Sequence, residues 1–309
     1  MPILSAYRRD ISRARELVST RCRTVQTPLG PIEHALIGDG EPVLVVHGAG
    51  GGFDQGLDIG AALSRMGFRI IAMSRFGYLG TPLPADASAA AQADAHACLL
   101  DALDIPRAAI VGASAGAPSS IQFALRHPDR CRALVLLVPA IFVLGAGGAP
   151  LVRAPVATRL LFATVLKSDF AFWAGIRYAR ATLIRGLLAT RPAVVARANA
   201  EEQQRIAETL QHVLPVSLRR LGLGNDAAVL SAREAYDLER IAVPTLLISA
   251  ADDLFGTFGV ARQAAARIAR ARFVGYPDGG HLCVGRKDQA NSEIAEFLTV
   301  RKDIEMGIQ

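Results

Sequence analysis

Cysteine is scarce: four residues, Cys22, Cys98, Cys131 and Cys283, are spread over 309 positions. No two form a C-x-x-C pair, so neither a zinc knuckle nor a dithiol redox motif is offered, and four separate thiols fit a reducing, cytoplasmic compartment. Lysine is scarcer still, with only Lys167, Lys287 and Lys302. The net charge of +6 is therefore carried almost entirely by arginines scattered through an Ala-rich chain. No basic run is interleaved with aromatics, which argues against nucleic acid as a partner. Charged residues amount to 20%, hydrophobic residues to 51%, and the mean hydropathy is +0.29. That is too apolar for a disordered chain, and the absence of any repeat removes collagen and coiled coil as well. The longest uncharged run, Ala133 to Val152, has the residue count of a bilayer span, but Pro139, Gly145, Gly147, Gly148 and Pro150 would break it as a helix. It reads as a buried strand followed by a loop. Met1 to Leu17 is Arg-rich without an apolar centre and does not read as a signal peptide.

What is present is an alternation of short β-branched runs with Ala-rich stretches of helical length, the pattern of a parallel sheet covered on both faces. Strands are expected at Ile32 to Ile37 and Pro42 to Val46, joined by a hairpin-type turn at Gly38-Asp39-Gly40-Glu41, and then at Phe68 to Met73, Ala108 to Gly112 and Ala133 to Val138. Helices are expected over Phe53 to Met66, Ala87 to Leu103 and Ala115 to Arg126, the last stopped by His127-Pro128. From Ala140 to Arg240 strand signals vanish and only helical segments remain: Val156 to Leu166, Phe170 to Leu188, Ala193 to Leu214 and Ser217 to Leu221. Strands resume at Thr245 to Ser249 and Phe273 to Tyr276, and a helix over Gln289 to Leu298 ends the pattern. The expected fold class is α/β: a mostly parallel twisted sheet flanked by helices, with core residues 1–139 and 241–309, of which 1–25 form an extension. Residues 140–240 form an all-helical cap inserted in that core.

Gly112-Ala113-Ser114-Ala115-Gly116 directly follows the apolar run Ala108 to Val111 and opens a helix, the context that a G-x-S-x-G nucleophile elbow requires. The turn forces the serine into strained backbone, so its neighbours must be small. The plainer alternative is a Gly-rich turn whose serine caps the helix. A serine hydroxyl needs a base, and of six histidines His281 stands in a glycine loop, Asp278-Gly279-Gly280-His281, just after the last strand. His127 reads as a helix end, His96 and His212 as ordinary helix residues, and His34 as structural. His47 reads as a brace for the loop that follows it. The base needs an orienting carboxylate, and Asp252-Asp253 follows the strand Thr245 to Ser249; Asp253 is preferred, with Asp252 left to solvent or to capping the turn. His47-Gly48-Ala49-Gly50-Gly51-Gly52 sits between a strand and a helix and offers backbone N–H groups to a developing oxyanion. It also invites a phosphate or dinucleotide reading, but no acidic residue ends the following strand, where Ser74-Arg75 stands, and no Gly-Lys-Ser/Thr is present.

The chain resembles the α/β-hydrolase superfamily, in its serine-nucleophile, esterase-like branch with a helical cap. The likeness covers roughly Gln26 to Leu298. It runs through His47-Gly48, Ser74-Arg75-Phe76-Gly77-Tyr78-Leu79-Gly80-Thr81-Pro82, Gly112 to Gly116, Pro244 to Ile248, Asp253 and Gly279-Gly280-His281, in the order Ser, Asp, His that marks the fold. The resemblance implies Ser114 as nucleophile, His281 as base, Asp253 as orienting acid, and the N–H groups of Ala49 and Ala115 as the oxyanion hole, with Gly50 as the alternative to Ala49. It implies no cofactor and no metal. Serine at the elbow sets the chain apart from the dehalogenase and epoxide hydrolase branches, which use aspartate there. An ester or related acyl substrate is the default. Carbon–carbon bond hydrolysis of ring-cleavage products, or ligand binding without turnover, stand as alternatives.

The first half of the cap carries the clusters Leu160-Leu161-Phe162, Val165-Leu166, Phe170-Ala171-Phe172-Trp173 and Leu187-Leu188. Apolar residues on more than one helical face suit a pocket for a hydrophobic acyl or aromatic group of a small-molecule substrate, or else tight packing within the cap. Membrane contact ranks below both. The oligomeric state is left open, with a homodimer as one option.

Overall fold

The computed structural model describes residues 2–143 and 165–306. Its strands are β1 (Arg23–Thr27), β2 (Gly30–Ile37), β3 (Glu41–Val46), β4 (Phe68–Met73), β5 (Ala108–Ala113), β6 (Cys131–Leu137), β7 (Thr245–Ala250) and β8 (Ala271–Tyr276). They form one sheet in the order β1-β2-β4-β3-β5-β6-β7-β8. β2 pairs antiparallel with β1 on one side and with β4 on the other, and every other pairing is parallel. The helices of the sheet layers are α1 (Pro2–Thr20), α2 (Phe53–Arg65), α3 (Ala89–Ala102) and α4 (Ala117–Arg126). Between β6 and β7 come α5 (Asp169–Tyr178), α6 (Arg180–Gly186), α7 (Pro192–Arg197), α8 (Ala200–Gln211) and α9 (Arg220–Ser231); α10 (Thr257–Arg267) and α11 (Lys287–Met306) complete the chain.

The strands at the centre are continuous apolar runs because both of their faces are covered. Along β3 the side chains alternate: Leu44 and Val46 join Ile71, Met73, Leu99, Ile121 and Phe123 on one face. Val43 and Val45 join Ile70, Phe53, Leu63, Ile294 and Phe297 on the other. A third cluster is built mainly from the segment between β6 and β7, around Phe172, Trp173, Leu183, Ile206 and Leu210, and also takes in Ile11 and Val284.

The expected hairpin is not formed. β4 lies between β2 and β3, so that Ile70 pairs with Ile37 on one side and with Val43 on the other. A short turn between two apolar runs is a local signal, whereas the partner of a strand is chosen by which edges bury most surface. Residues 2–20, expected only as part of an extension, form α1, and β1 follows as an edge strand. The stripe Tyr7, Ile11, Ala14, Val18 is spaced four, three and four, the helical period. Ile11 packs into the third cluster and Val18 against the sheet.

The long helices expected at 170–188 and 193–214 are each divided. Ser168 Oγ accepts the Ala171 N–H at 3.3 Å to start α5, which ends at Ala179. Asn199 Oδ1 accepts the Glu202 N–H at 2.8 Å to start α8. The short segment expected at Ser217 to Leu221 is a 3₁₀ turn at Val216–Leu218 followed by the full helix α9. α10, between β7 and β8, was not expected. The expected helix Val156 to Leu166 and the cluster Leu160-Leu161-Phe162 lie outside the described residues, apart from 165 and 166. No helix among the described residues is long and apolar enough to cross a membrane.

Candidate active site

Ser114 follows the last residue of β5 and sits at φ +48°, in the left-handed region that costs a side-chain-bearing residue energy. The turn is possible only because Gly112 and Gly116 carry no side chain. A Cβ on Gly116 would lie 2.5 Å from Val46 O and 2.7 Å from His47 O, and one on Gly112 would run into the Ser120 hydroxyl. The 3₁₀ turn Ser114–Gly116 then leads into α4. The serine is thus lifted, half-buried, at the carboxyl edge of the sheet.

The other two groups arrive from neighbouring strand ends. Gly279 at φ +122° and Gly280 at φ +62° turn the chain after β8 and deliver a buried His281. Its Nε2 lies 2.9 Å from Ser114 Oγ and its Nδ1 2.9 Å from Asp253 Oδ2. Asp253 follows β7 and is buried. It accepts a hydrogen bond from the Thr257 hydroxyl on Oδ2 and from the Phe255 N–H at 2.8 Å on Oδ1. Burial works against its ionisation, yet the His281 charge and hydrogen bond, together with those donors, hold the carboxyl below the usual aspartate value. An ionised Asp253 fixes the proton on Nδ1 and leaves the Nε2 lone pair facing the serine hydroxyl. Asp252 points elsewhere: its Oδ1 accepts the Gly280 N–H at 2.7 Å and ties down the histidine loop. The Phe255 ring meets the imidazole edge-on at 5.0 Å.

The glycine-rich loop 47–52 stands beside this line, with a Cβ on Gly48 falling 3.2 Å from Ser114 Cβ. His47 is fully buried. Burial, then the neighbouring Arg75 charge, holds its imidazole neutral, well below its usual pKa. Its Nδ1 bonds Gly48 O at 2.7 Å and its Nε2 accepts the Arg75 N–H at 3.0 Å, so it braces the loop. The Gly50 N–H donates to the Tyr78 hydroxyl at 3.2 Å and the Gly51 N–H to Gly48 O at 3.3 Å. The Ala49 N–H has no acceptor among the described residues. Ala115 opens the helical turn, where an N–H has no intrahelical partner.

The remaining histidines are apart from this site. His34 is buried in β2, and His96 is buried in α3 beside Ser119 Oγ at 3.1 Å, its pKa pushed down to about 3 by burial. His127 and His212 pair with Asp94 and Asp58. Among the described residues no group of three or more His, Cys, Asp or Glu is placed to hold a metal ion. Sequence reasoning assigned no role to Arg75, Tyr78, Arg219 or Asp226. Arg75 and Tyr78 lie in a motif singled out for resemblance. Nothing in the local sequence marks Asp226.

The model of the alpha/beta hydrolase fold matches residues 41–285. The chain belongs to the alpha/beta hydrolase family. A solved alpha/beta hydrolase fold protein from Nakamurella multipartita superposes on this hydrolase with a TM-score of 0.67 at 30% identity, covering 90% of this chain and 98% of that one. An uncharacterized hydrolase of Bacillus subtilis, YcgS, is 34% identical over 116 residues, 38% of this chain and 40% of the relative. The 2-hydroxymuconate semialdehyde hydrolase of Pseudomonas putida is 38% identical over 103 residues, 32% of this chain and 37% of that enzyme. The chain thus matches well under half the length of these two relatives.

Proposed function

We propose that this alpha/beta hydrolase cleaves a carboxylic ester or related acyl substrate through a covalent intermediate on Ser114. The observation that carries the reading is the hydrogen-bonded line Ser114 Oγ, His281 Nε2, His281 Nδ1, Asp253 Oδ2, both links at 2.9 Å. Ser114 Oγ attacks the acyl carbon while His281 Nε2 takes its proton. The carbonyl electrons collect on an oxygen that faces the Ala49 and Ala115 N–H groups. Collapse of this intermediate expels the alcohol, which takes the proton from His281. Water then attacks the acyl-enzyme, gives its proton to His281, and releases the acid as Ser114 is reprotonated. No cofactor takes part in these steps.

The helices between β6 and β7 are read as a cap over this edge, spanning 140–240, and its apolar residues as the wall of a pocket for a hydrophobic acyl or aromatic group. The free thiols suit a cytoplasmic setting. A second reading is favoured by the match to 2-hydroxymuconate semialdehyde hydrolase: the same serine line would act on a carbon–carbon bond next to a carbonyl. The test is a panel of esters, thioesters, lactones and ring-fission dienones on wild type and Ser114→Ala, with fluorophosphonate labelling alongside. Labelling and ester turnover that both vanish in Ser114→Ala are expected. Turnover confined to dienones would select the second reading, and a Ser114 that ignores the probe while the protein binds ligand would end both.

A further inference from the structure

The loop 47–52 is held from outside itself. Arg75 Nε donates to His47 O at 2.9 Å and Arg75 Nη2 to Gly48 O at 3.2 Å. Gln55 Oε1 accepts the Gly48 N–H at 2.7 Å, the Tyr78 hydroxyl accepts the Gly50 N–H at 3.2 Å, and Arg219 Nη1 donates to Gly51 O at 2.5 Å. Residues 47, 48, 50 and 51 are thereby fixed on both sides of Ala49, an exposed residue whose N–H has no acceptor among the described residues.

Two of these anchors converge on one carboxylate. Asp226, buried in α9, receives Arg75 Nη1 at 2.6 Å, Arg75 Nη2 at 2.8 Å and the Tyr78 hydroxyl at 2.5 Å. A third anchor, Arg219, is fully buried just before α9 and pairs with Asp54 of α2 at 2.6 Å. The guanidinium of Arg75 is planar, so a carboxylate gripping one edge sets the direction in which the other edge meets the loop carbonyls. The Tyr78 hydroxyl likewise has its proton committed to Asp226 and presents its lone pair to Gly50.

We propose that Asp226 is a positioning residue for the oxyanion site: acting through Arg75 and Tyr78, it sets the direction of the Ala49 N–H, so that the site is complete only while α9 is docked. The inference rests on the serine-hydrolase reading above. Oxyanion donors accelerate acyl transfer because they are oriented before charge develops, and a loop released from one anchor loses that orientation without losing its residues.

The test uses Tyr78→Phe, which keeps the ring and the Arg75–Asp226 pair but removes the Gly50 acceptor, and Asp226→Asn, which weakens both branches. Each is assayed with a p-nitrophenyl ester and titrated with a trifluoromethyl ketone, whose serine adduct carries the oxyanion, and with the matching methyl ketone, which binds without it. We expect kcat to fall by about tenfold in Tyr78→Phe and further in Asp226→Asn, less than the loss on deleting a donor outright. The trifluoromethyl ketone should weaken in step, with KM and methyl ketone affinity within about twofold of wild type. Variants that lose melting temperature but keep wild-type kcat and trifluoromethyl ketone affinity would overturn the inference. So would equal weakening of both ketones. Should Asp226→Asn fail to fold, Asp226→Glu, which keeps the charge but shifts its bonds to Arg75 and Tyr78, is measured in its place against the same outcomes. A wild-type protein that neither turns over the ester nor labels at Ser114 would instead remove the hydrolase reading itself.

Discussion

His281 Nε2 stands 2.9 Å from Ser114 Oγ although 167 positions separate the two residues in the chain. In the proposed mechanism that closeness makes the serine hydroxyl a nucleophile, and the contact is lost entirely in Ser114→Ala. The variant should retain the wild-type melting temperature, since the hydroxyl is half-exposed, and lose on the order of 10⁴-fold or more in kcat. Ester hydrolysis followed beside thermal unfolding checks both halves of the statement.

The two adjacent aspartates carry different loads. Asp253 faces Nδ1 of the histidine, whereas Asp252 accepts a backbone N–H from Gly280. Asp253→Asn should leave the imidazole in the wrong tautomer and reduce kcat by roughly 10⁴-fold. Asp252→Asn keeps an oxygen acceptor for Gly280 and should cost about tenfold or less, because only loop placement is disturbed. Comparable losses in the two variants would contradict this division.

Stability should fall on acidification for a reason independent of His281. His47 and His96 are buried and neutral, and their folded-state pKa values lie below the ordinary 6.5, that of His96 at about 3. Between those limits the unfolded chain binds protons that the folded protein does not. For His96, lowering the pH from 6.5 towards 3 therefore costs up to about 1.4 kcal/mol per pH unit, and His47 adds a cost of the same sign below 6.5. Urea unfolding across this range should show that slope, and His96→Gln should make it shallower whatever its effect at neutral pH.

Gly116→Ala tests the elbow itself. The added methyl meets Val46 O and His47 O, both backbone atoms of β3 and its exit, which cannot move away as a side chain would. A loss of about 2–4 kcal/mol in folding stability is expected, together with reduced turnover, because the collision displaces the loop that carries Ala49. Guanidinium unfolding and kcat measured on the same preparation give the answer.

Ile11 links α1 to the helices between β6 and β7. It is buried in their apolar cluster, and nearby Trp173 Nε1 donates to Asp10 Oδ2 at 2.9 Å. Ile11→Ala should cost about 2–4 kcal/mol. Hydrogen exchange should rise first in α5 and α1 and leave β3 and β5 protected, since the sheet's own clusters are untouched.

Several features were legible because they are local demands of chemistry. The G-x-S-x-G pentapeptide can be read directly, since only glycine tolerates the contacts at 112 and 116. The buried strands declare themselves as unbroken runs such as Val43 to Val46, and Gly279-Gly280 announces the turn that carries His281. The choice between Asp252 and Asp253 could be narrowed only by noting that two adjacent acids cannot both face His281; it is Asp253 Oδ2 that lies 2.9 Å from His281 Nδ1. The hairpin reading failed because strand order depends on distant partners: Ile70, between Ile37 and Val43, lies more than twenty residues from either. α1 was missed because its arginines obscured a four-three-four apolar stripe.

Residue types and their order thus determined which chemistry was on offer: a serine in a turn too tight for side chains, a histidine after paired glycines, an acid at a strand end, and amides in a glycine-rich loop. Folding decided which groups hold that loop. Arg75, Tyr78 and Asp226 belong to two segments that share no pattern, and their bonds exist only because burial leaves each charge and hydroxyl no water to pair with, so they must find one another.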